Sequence, residues 1–345
     1  MRIGLVNDMA MVIRVLEQAV NSIDECEVAW VARNGKEAIT MCRNDRPDLV
    51  LMDLIMPEMN GVESTREIMK SAPCPILIVT SSVTENASMV FEAMGAGALD
   101  AISTPILMPG GAIKDAAAGL QGKISTVKRL IKAEAKHKKH KEMKVVRPEK
   151  SDQWLCVIGA STGGPHALSE ILRHLSKDTR AAVVIVQHVD QHFAAGMAEW
   201  LNEKSALPVQ LARPGDQLAA GKVWLSGTND HLVLDENGRL AYTREPVSLV
   251  YRPSVNVLFG SVADNWHGKA VAVLLTGMGA DGAAGLLRLR NAGVHTIAQN
   301  KETCAVYGMP KAAVELNAAI KILPLGEIAR EINRTVTGTN LAFGT

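Results

Sequence analysis

Aromatic side chains make up only 3% of the 345 residues, and the formal net charge is +1. So few aromatics cannot build stacking platforms for single-stranded nucleic acid, and a balanced charge leaves no basic footprint for a phosphate backbone. Nucleic acid is therefore excluded as an expected partner. The 5 cysteines are odd in number and scattered, with no C-x-x-C pair, which argues against a disulfide framework and predicts reduced, mostly buried thiols. No apolar run approaches the ~20 residues of a membrane span, and MRIGLV enters a strand directly without a cleavable leader. A cytoplasmic protein is expected.

What is abundant is apolar residue, 47% against 21% charged, enough to bury real cores. The length exceeds the roughly 250–300 residues at which one core stops growing, so two domains are expected. In the first half, strands at Arg2–Val6, Val28–Ala32, Leu49–Met52, Ile76–Val79 and Ala98–Ile102 alternate with helices at Val12–Val20, Gly35–Asn44, Gly61–Ser71 and Glu85–Gly95. Such alternation predicts a parallel sheet covered by helices on both faces. Asp8 and Asp53 follow the first and third strands, where the topology brings them to one edge. Two carboxylates with carbonyl oxygens suit Mg²⁺ and phosphoryl transfer onto a carboxylate, although an Asp after a strand also serves as an ordinary turn residue.

A Gly- and Ala-rich stretch, 108–122, leads to a helical spacing over Ile124–Ala135 and then to a basic run. Residues 128–150 hold ten Lys or Arg against three acids, with HKKHK at 137–141. Without interleaved aromatics this reads as a solvated helix end and linker, and His137 with His140 lacks a third metal ligand.

Alternation resumes after Ser151. The stretch WLCVIGASTGGP, Trp154–Pro165, is an apolar strand that stops in glycines with the Ser161 hydroxyl among them, as a nucleophile at a strand-to-helix turn requires. Glycine is missing from the middle of a G-x-G-x-x-G pattern and no G-K-[ST] follows, so nucleotide binding is disfavoured. His188 follows the apolar run Ala182–Val186, and His192 lies four residues on, a spacing that would align both on one helix face. Candidate acids are Asp190, Asp216, Asp230, Asp264 and Asp281. Asp281 is preferred because its glycine-rich turn follows the strongest strand, Val271–Thr276, and precedes a helix at Ala283–Arg290, which it could cap. Strand ends of one open parallel sheet share a crevice, so serine, histidine and aspartate can meet there.

The segment LVLMDLIMPEMNG, Leu49–Gly61, resembles the phosphoacceptor region of two-component receiver domains. The resemblance implies Asp53 as phosphoacceptor, Asp8, Asp53 and the Ile55 carbonyl as Mg²⁺ ligands, and Thr80 as the switch hydroxyl. Asn7 stands where a second acid is usual, and the other switch position, Thr104, stands where a lysine is usual. IGASTGGP, VQHVD, YRPSVNVLF, TGMGADGAAG and YGMP resemble, in order and spacing, the catalytic domain of chemotaxis protein-glutamate methylesterases; Asn256 and Asn300 replace common aspartates. The Asn7 and Thr104 pair, with VNDM and LDAISTP, is similar to the Wsp-type surface-sensing branch.

These resemblances imply an α/β chain with a flavodoxin-like receiver at 1–122, a basic linker or helix at 123–150 and a doubly wound α/β methylesterase domain at 151–345. They imply Ser161, His188 and Asp281 as a triad, the Met278 backbone amide as an oxyanion donor, and no metal in the hydrolase. The implied substrate is a methyl-accepting chemoreceptor, the implied phosphodonor a chemosensory histidine kinase, with deamidation of glutamines as a second reaction. A receiver-gated receptor-binding module and a small-ester hydrolase are the competing readings.

Overall fold

The computed structural model describes residues 1–81, 86–105, 119–125, 127–128, 151–249 and 251–337. Two compact units divide the chain, Met1–Lys136 and His137–Thr345.

In the first unit, strands β1 (Arg2–Val6), β2 (Glu27–Ala32), β3 (Leu49–Met52), β4 (Ile76–Thr80) and β5 (Asp100–Ser103) form a parallel sheet in the order β2-β1-β3-β4-β5. Helices α1 (Ala10–Asn21), α2 (Gly35–Asn44), α3 (Gly61–Ser71) and α4 (Ala87–Ala96) connect them. Local chemistry sets the sharpest boundaries. Asn34 Oδ1 accepts the Glu37 amide at 2.9 Å and Asn60 Oδ1 accepts that of Glu63 at 2.9 Å, so each satisfies an orphan donor at a helix start. The β3 and β4 strands are buried on both faces, which is why they read as unbroken apolar runs. Leu120, Ile124 and Val127 join Ile3, Leu5 and Leu16 in one buried cluster, so packing of this unit continues past residue 122 into the stretch expected to have helical spacing. His137, His140 and the basic run from 129 onward lie outside the described residues.

The second unit is built on a parallel sheet of seven strands: β6 (Ser151–Ala160), β7 (Ala181–Gln187), β8 (Val209–Leu211), β9 (Val223–Leu225), β12 (Gly268–Leu274), β13 (His295–Gln299) and β14 (Lys321–Leu323). Their order is β14-β13-β12-β6-β7-β9-β8, and a hairpin of β10 (His231–Leu234) and β11 (Leu240–Thr243) stands apart. Helices α5 (Gly164–His174), α6 (Gln191–Lys204), α7 (Val255–Asn265), α8 (Ala283–Asn291), α9 (Met309–Glu315) and α10 (Leu325–Thr337) accompany the sheet. Leu258, Phe259 and Leu286 from α7 and α8 are buried with Leu155, Val157, Ala272 and Leu274 of the central strands. The chain runs outward from β6 in both directions, and this reversal of strand order puts a crevice at the carboxyl ends of β12, β6 and β7.

Candidate active site and phosphoacceptor site

Sheet register alone brings the serine and the histidine together. Ala160 of β6 pairs with Gln187 of β7, so Ser161 and His188 are the next residues on neighbouring strands. The His188 amide donates to the Ala160 carbonyl at 3.0 Å, and on the other side the Ser161 amide donates to Thr276 O at 3.0 Å. Gly164 N donates to Ser161 O at 2.7 Å and closes the turn into α5. Gly277 lies so near that a Cβ there would stand 2.6 Å from Ser161 Cβ, so only glycine lets the Met278 loop approach the hydroxyl. The Met278 N–H has no acceptor among the described residues, and neither does that of Thr162, which follows the serine.

Asp281 comes from the loop after β12, the strand on the other side of β6. Its Oδ2 accepts from His188 Nε2 at 2.8 Å and from the Val255 amide at 2.7 Å. Its Oδ1 accepts from Ser254 Oγ at 2.8 Å and from the Asn256 amide at 3.1 Å. Burial pushes the Asp281 carboxyl up, but the hydrogen bonds from His188, Ser254 and Val255 more than offset it and hold the group below its ordinary value. Asp281 therefore stays ionised, takes the Nε2 proton of His188 in a hydrogen bond, and leaves Nδ1 as the basic nitrogen. Nδ1 is buried and has no hydrogen-bond partner among the described residues, which leaves it able to accept a proton.

One expectation about Asp281 is corrected. The carboxylate does not cap the helix that follows it, whose N-cap is Gly282 without a side-chain bond. It caps α7 instead, by accepting the first amides of that helix across 25 and 26 residues of sequence. Ser254, the N-cap of α7, makes no cap bond of its own because its hydroxyl is turned to Asp281. Behind it, the Ser254 amide donates to Nδ1 of the buried His231 at 3.0 Å, and burial lowers the His231 pKa.

The other aspartates are engaged elsewhere. Asp190 caps α6, Asp216 accepts the Arg213 amide, Asp230 pairs with Arg252 and Asp264 with Arg288. His188 and His192 share no helix face, since His188 lies just past β7, outside the helix, and the largely exposed His192 bonds Asp190 at 2.6 Å. Among the described residues no cluster of three or more His, Cys, Asp and Glu side chains is placed to hold a metal ion. Asn256 Oδ1 accepts the Gly285 amide and Asn300 caps a short 3-10 turn, so both departures have structural work to do. No residue of YRPSVNVLF has a role that the sequence alone reveals. Tyr251 stacks on the His188 ring, with centroids 4.2 Å apart and planes at 14°, and its hydroxyl donates to Met278 O at 3.0 Å. A polar Tyr-Arg-Pro-Ser cluster ahead of an apolar helix was the available signal.

In the first unit, Asp53 follows β3 and is partly buried, while Asp8, after β1, is exposed. Burial, with a smaller contribution from Asp8, pushes Asp53 up to about 6 against the Leu54 and Ile55 amides that pull it down. Asn7 Nδ2 donates to Asp53 Oδ2 at 2.7 Å while Asn7 Oδ1 accepts the Met9 amide at 2.9 Å. Asp53 Oδ1 accepts the Leu54 amide at 2.7 Å. Asp8, Asp53 and a backbone carbonyl are hard oxygen donors of the kind Mg²⁺ takes, with water completing the set, so the residues fit that ion. Asn7 offers this group a nitrogen and adds no charge. Thr80 Oγ1 accepts from Asn86 Nδ2 at 2.9 Å, and the Thr104 amide donates to Thr80 O at 2.8 Å. Cys42, Cys74 and Cys156 are buried, Cys26 and Cys304 partly so, and all are free thiols.

Comparison with known proteins matches two stretches of the chain to family models. Residues 156–332 match the family model described as CheB methylesterase, and residues 3–109 match that of the response regulator receiver domain. A protein-glutamate methylesterase/protein-glutamine glutaminase of Pseudomonas aeruginosa is 52% identical over 331 residues, which cover 95% of this chain and 98% of the relative. One of Burkholderia lata is 50% identical over 98% of both chains. The crystal structure of the Thermotoga maritima CheB methylesterase catalytic domain is 34% identical with a TM-score of 0.51, covering 53% of this chain and 99% of that one.

Proposed function

The chain belongs to the CheB methylesterase family, here joined to a receiver domain, and from that premise we propose that it hydrolyses glutamyl methyl esters through Ser161, His188 and Asp281. It is a protein-glutamate methylesterase and protein-glutamine glutaminase, and phosphorylation of its receiver regulates demethylation in chemosensory adaptation. Methyl-accepting chemoreceptors are its substrates, a chemosensory histidine kinase its phosphodonor, and the cytoplasm its compartment; no helix among the described residues is long and apolar enough to cross a membrane.

The observation that carries the assignment is the 2.8 Å bond from His188 Nε2 to Asp281, formed one residue past the Ala160–Gln187 register that sets His188 beside Ser161. His188 Nδ1 removes the Ser161 Oγ proton as Oγ attacks the γ-carbonyl. The oxyanion is held by the Met278 N–H, with the unpaired Thr162 N–H as second donor. The bond to methanol breaks as His188 returns the proton to its oxygen, leaving an ester on Ser161. Water then gives a proton to Nδ1 and attacks that ester, which frees the glutamate carboxylate and restores Ser161. With a glutamine side chain the same path releases ammonia. Asp281 keeps Nδ1 as the base and stabilises the imidazolium.

In the receiver, Asp53 is the phosphoacceptor. Asp8, Asp53 and the Ile55 carbonyl would hold Mg²⁺, which offsets the negative charge that gathers on a phosphorylated carboxylate. Thr80 and Thr104 are the switch positions, and the Asn86 bond holds the Thr80 hydroxyl in its present orientation. Mass spectrometry of receptor peptides tests the hydrolase: wild type converts γ-glutamyl methyl esters to acids, and Ser161→Ala and His188→Gln leave them intact. Conversion by Ser161→Ala at the wild-type rate would overturn the assignment.

A further inference from the structure

We propose that Tyr251 is a positioning residue that ties the base to the oxyanion-binding loop and stabilises the protonated form of His188. The proposal rests on the reading of Ser161, His188 and Asp281 as the triad. Its support is independent contacts made by one side chain.

The phenol ring lies against the imidazole face at 4.2 Å and 14°, so it fixes the ring plane in which Nε2 meets Asp281 and Nδ1 points away from it. At the far end, the Tyr251 hydroxyl donates to Met278 O at 3.0 Å. Room for that hydroxyl comes from Gly279, which has φ +80 and where a Cβ would stand 2.5 Å from the phenol oxygen. The Met278–Gly279 turn is thus shaped around the hydroxyl, and the same turn carries the Met278 N–H assigned to the oxyanion. One rigid side chain with few rotatable bonds sets the distance between the proton acceptor and the oxyanion donor.

The stack also has an electrostatic consequence. An aromatic face carries negative charge density and attracts a cation laid over it. His188 is neutral before attack and cationic after it, so the ring favours the second state. The His188 side chain is only 10% exposed, which keeps water from screening this contact. Other charged or titratable groups around it are Asp281 on Nε2 and, at the start of α6, Asp190 with His192. Beyond Asp281 stand His231, on the Ser254 amide, and the Arg252–Asp230 pair.

The test uses the full chain with Tyr251→Phe and Tyr251→Leu, folding checked by circular dichroism. Two readouts are taken: titration of the His188 imidazole by NMR, assigned by its loss in His188→Gln, and methanol release from methylated receptor membranes against pH. Tyr251→Phe keeps the ring and should titrate like wild type, while losing roughly three- to tenfold in kcat with the hydroxyl bond. Tyr251→Leu should titrate about half a pH unit lower, with the acid limb of kcat/KM moving the same way. An unchanged His188 titration in Tyr251→Leu would overturn the electrostatic role, and unchanged kcat in Tyr251→Phe would overturn the tie to the Met278 loop. If Tyr251→Leu does not fold, Tyr251→Trp takes its place, and a His188 titration about half a pH unit below wild type in that ring-bearing variant overturns the proposal. Methanol release by Ser161→Ala is a separate outcome that overturns the triad itself while leaving the NMR result readable.

Discussion

Replacing Asp281 with asparagine should almost abolish turnover while leaving the fold in place, and the reason can be worked from the four donors that converge on the carboxylate. Oδ2 serves His188 Nε2 and the Val255 amide; Oδ1 serves Ser254 Oγ and the Asn256 amide. An amide has a single acceptor oxygen, so its NH₂ must face one of these pairs. Facing Oδ1's partners, it meets the Asn256 N–H, which cannot turn away, although the Ser254 hydroxyl can rotate. On the other side it meets the Val255 N–H, and His188 can accept from it only by moving its proton to Nδ1. That tautomer has no lone pair for Ser161. In either orientation the imidazolium loses its counter-charge. A loss of ~10⁴ in kcat is expected, the effect of the equivalent Asp-to-Asn change in the serine-protease triad that serves as the general template, corresponding to about 5.4 kcal/mol of transition-state stabilisation. Stability should fall by about 1.5–3 kcal/mol for the charge-assisted bond lost at a buried site. Methanol release from methylated receptor membranes reads the first quantity and urea unfolding the second. Turnover within tenfold of wild type, in a folded protein, would refute the reasoning.

Further expectations come from other parts of the chain. Glu331 is buried at the edge of the second sheet; burial raises its pKa, but hydrogen bonds from Arg334 and Lys321 outweigh that and bring it down to about 2. Its stabilising contribution is therefore complete above the ordinary glutamate value and is lost as pH falls through about 2, and Glu331→Gln should flatten this acid slope in unfolding experiments. Because its cationic partners are 36% and 44% exposed, the expected cost of that substitution at neutral pH is modest, about 1 kcal/mol. In the receiver, Thr104→Lys should raise the ratio of phosphodonor-stimulated to basal methanol release, since an ammonium there could pair with the aspartyl phosphate; an equal ratio in both proteins would show that Thr104 does not limit the response to phosphorylation. Asn7→Asp should tighten Mg²⁺ binding measured by calorimetry, because it replaces an amide donor beside Asp53 with a third carboxylate, after Asp8 and Asp53.

Much of this architecture was legible because the chemistry is local. Leu49–Met52 is buried on every side and reads as an apolar run, and Gly35–Asn44 and Gly61–Ser71 begin at asparagine caps visible in the sequence. Serine, histidine and aspartate after three strands could be joined because parallel-sheet ends converge. The short strands Val209–Leu211, Val223–Leu225, His231–Leu234 and Leu240–Thr243 went unassigned, since runs of three or four residues carry too little periodicity. Nor could the sequence say which histidine nitrogen is the base, because that depends on the side from which Asp281 approaches. Ser254 and Tyr251 act across 27 residues of chain, a distance over which no spacing rule operates. Local sequence offers Asp281, besides its place in the triad, as a possible cap for the helix that follows it; the tertiary fold gives the carboxylate to α7 instead.

The most direct measurement is methanol release from methylated receptor membranes by wild type, Ser161→Ala and Asp53→Ala, each with and without Mg²⁺ and a small phosphodonor. A phosphorylation-gated serine methylesterase gives release that needs Ser161 in every condition and rises with phosphodonor only when Asp53 is present. Well-folded wild type that releases no Ser161-dependent methanol from a cognate receptor would contradict the account and favour a receptor-binding module.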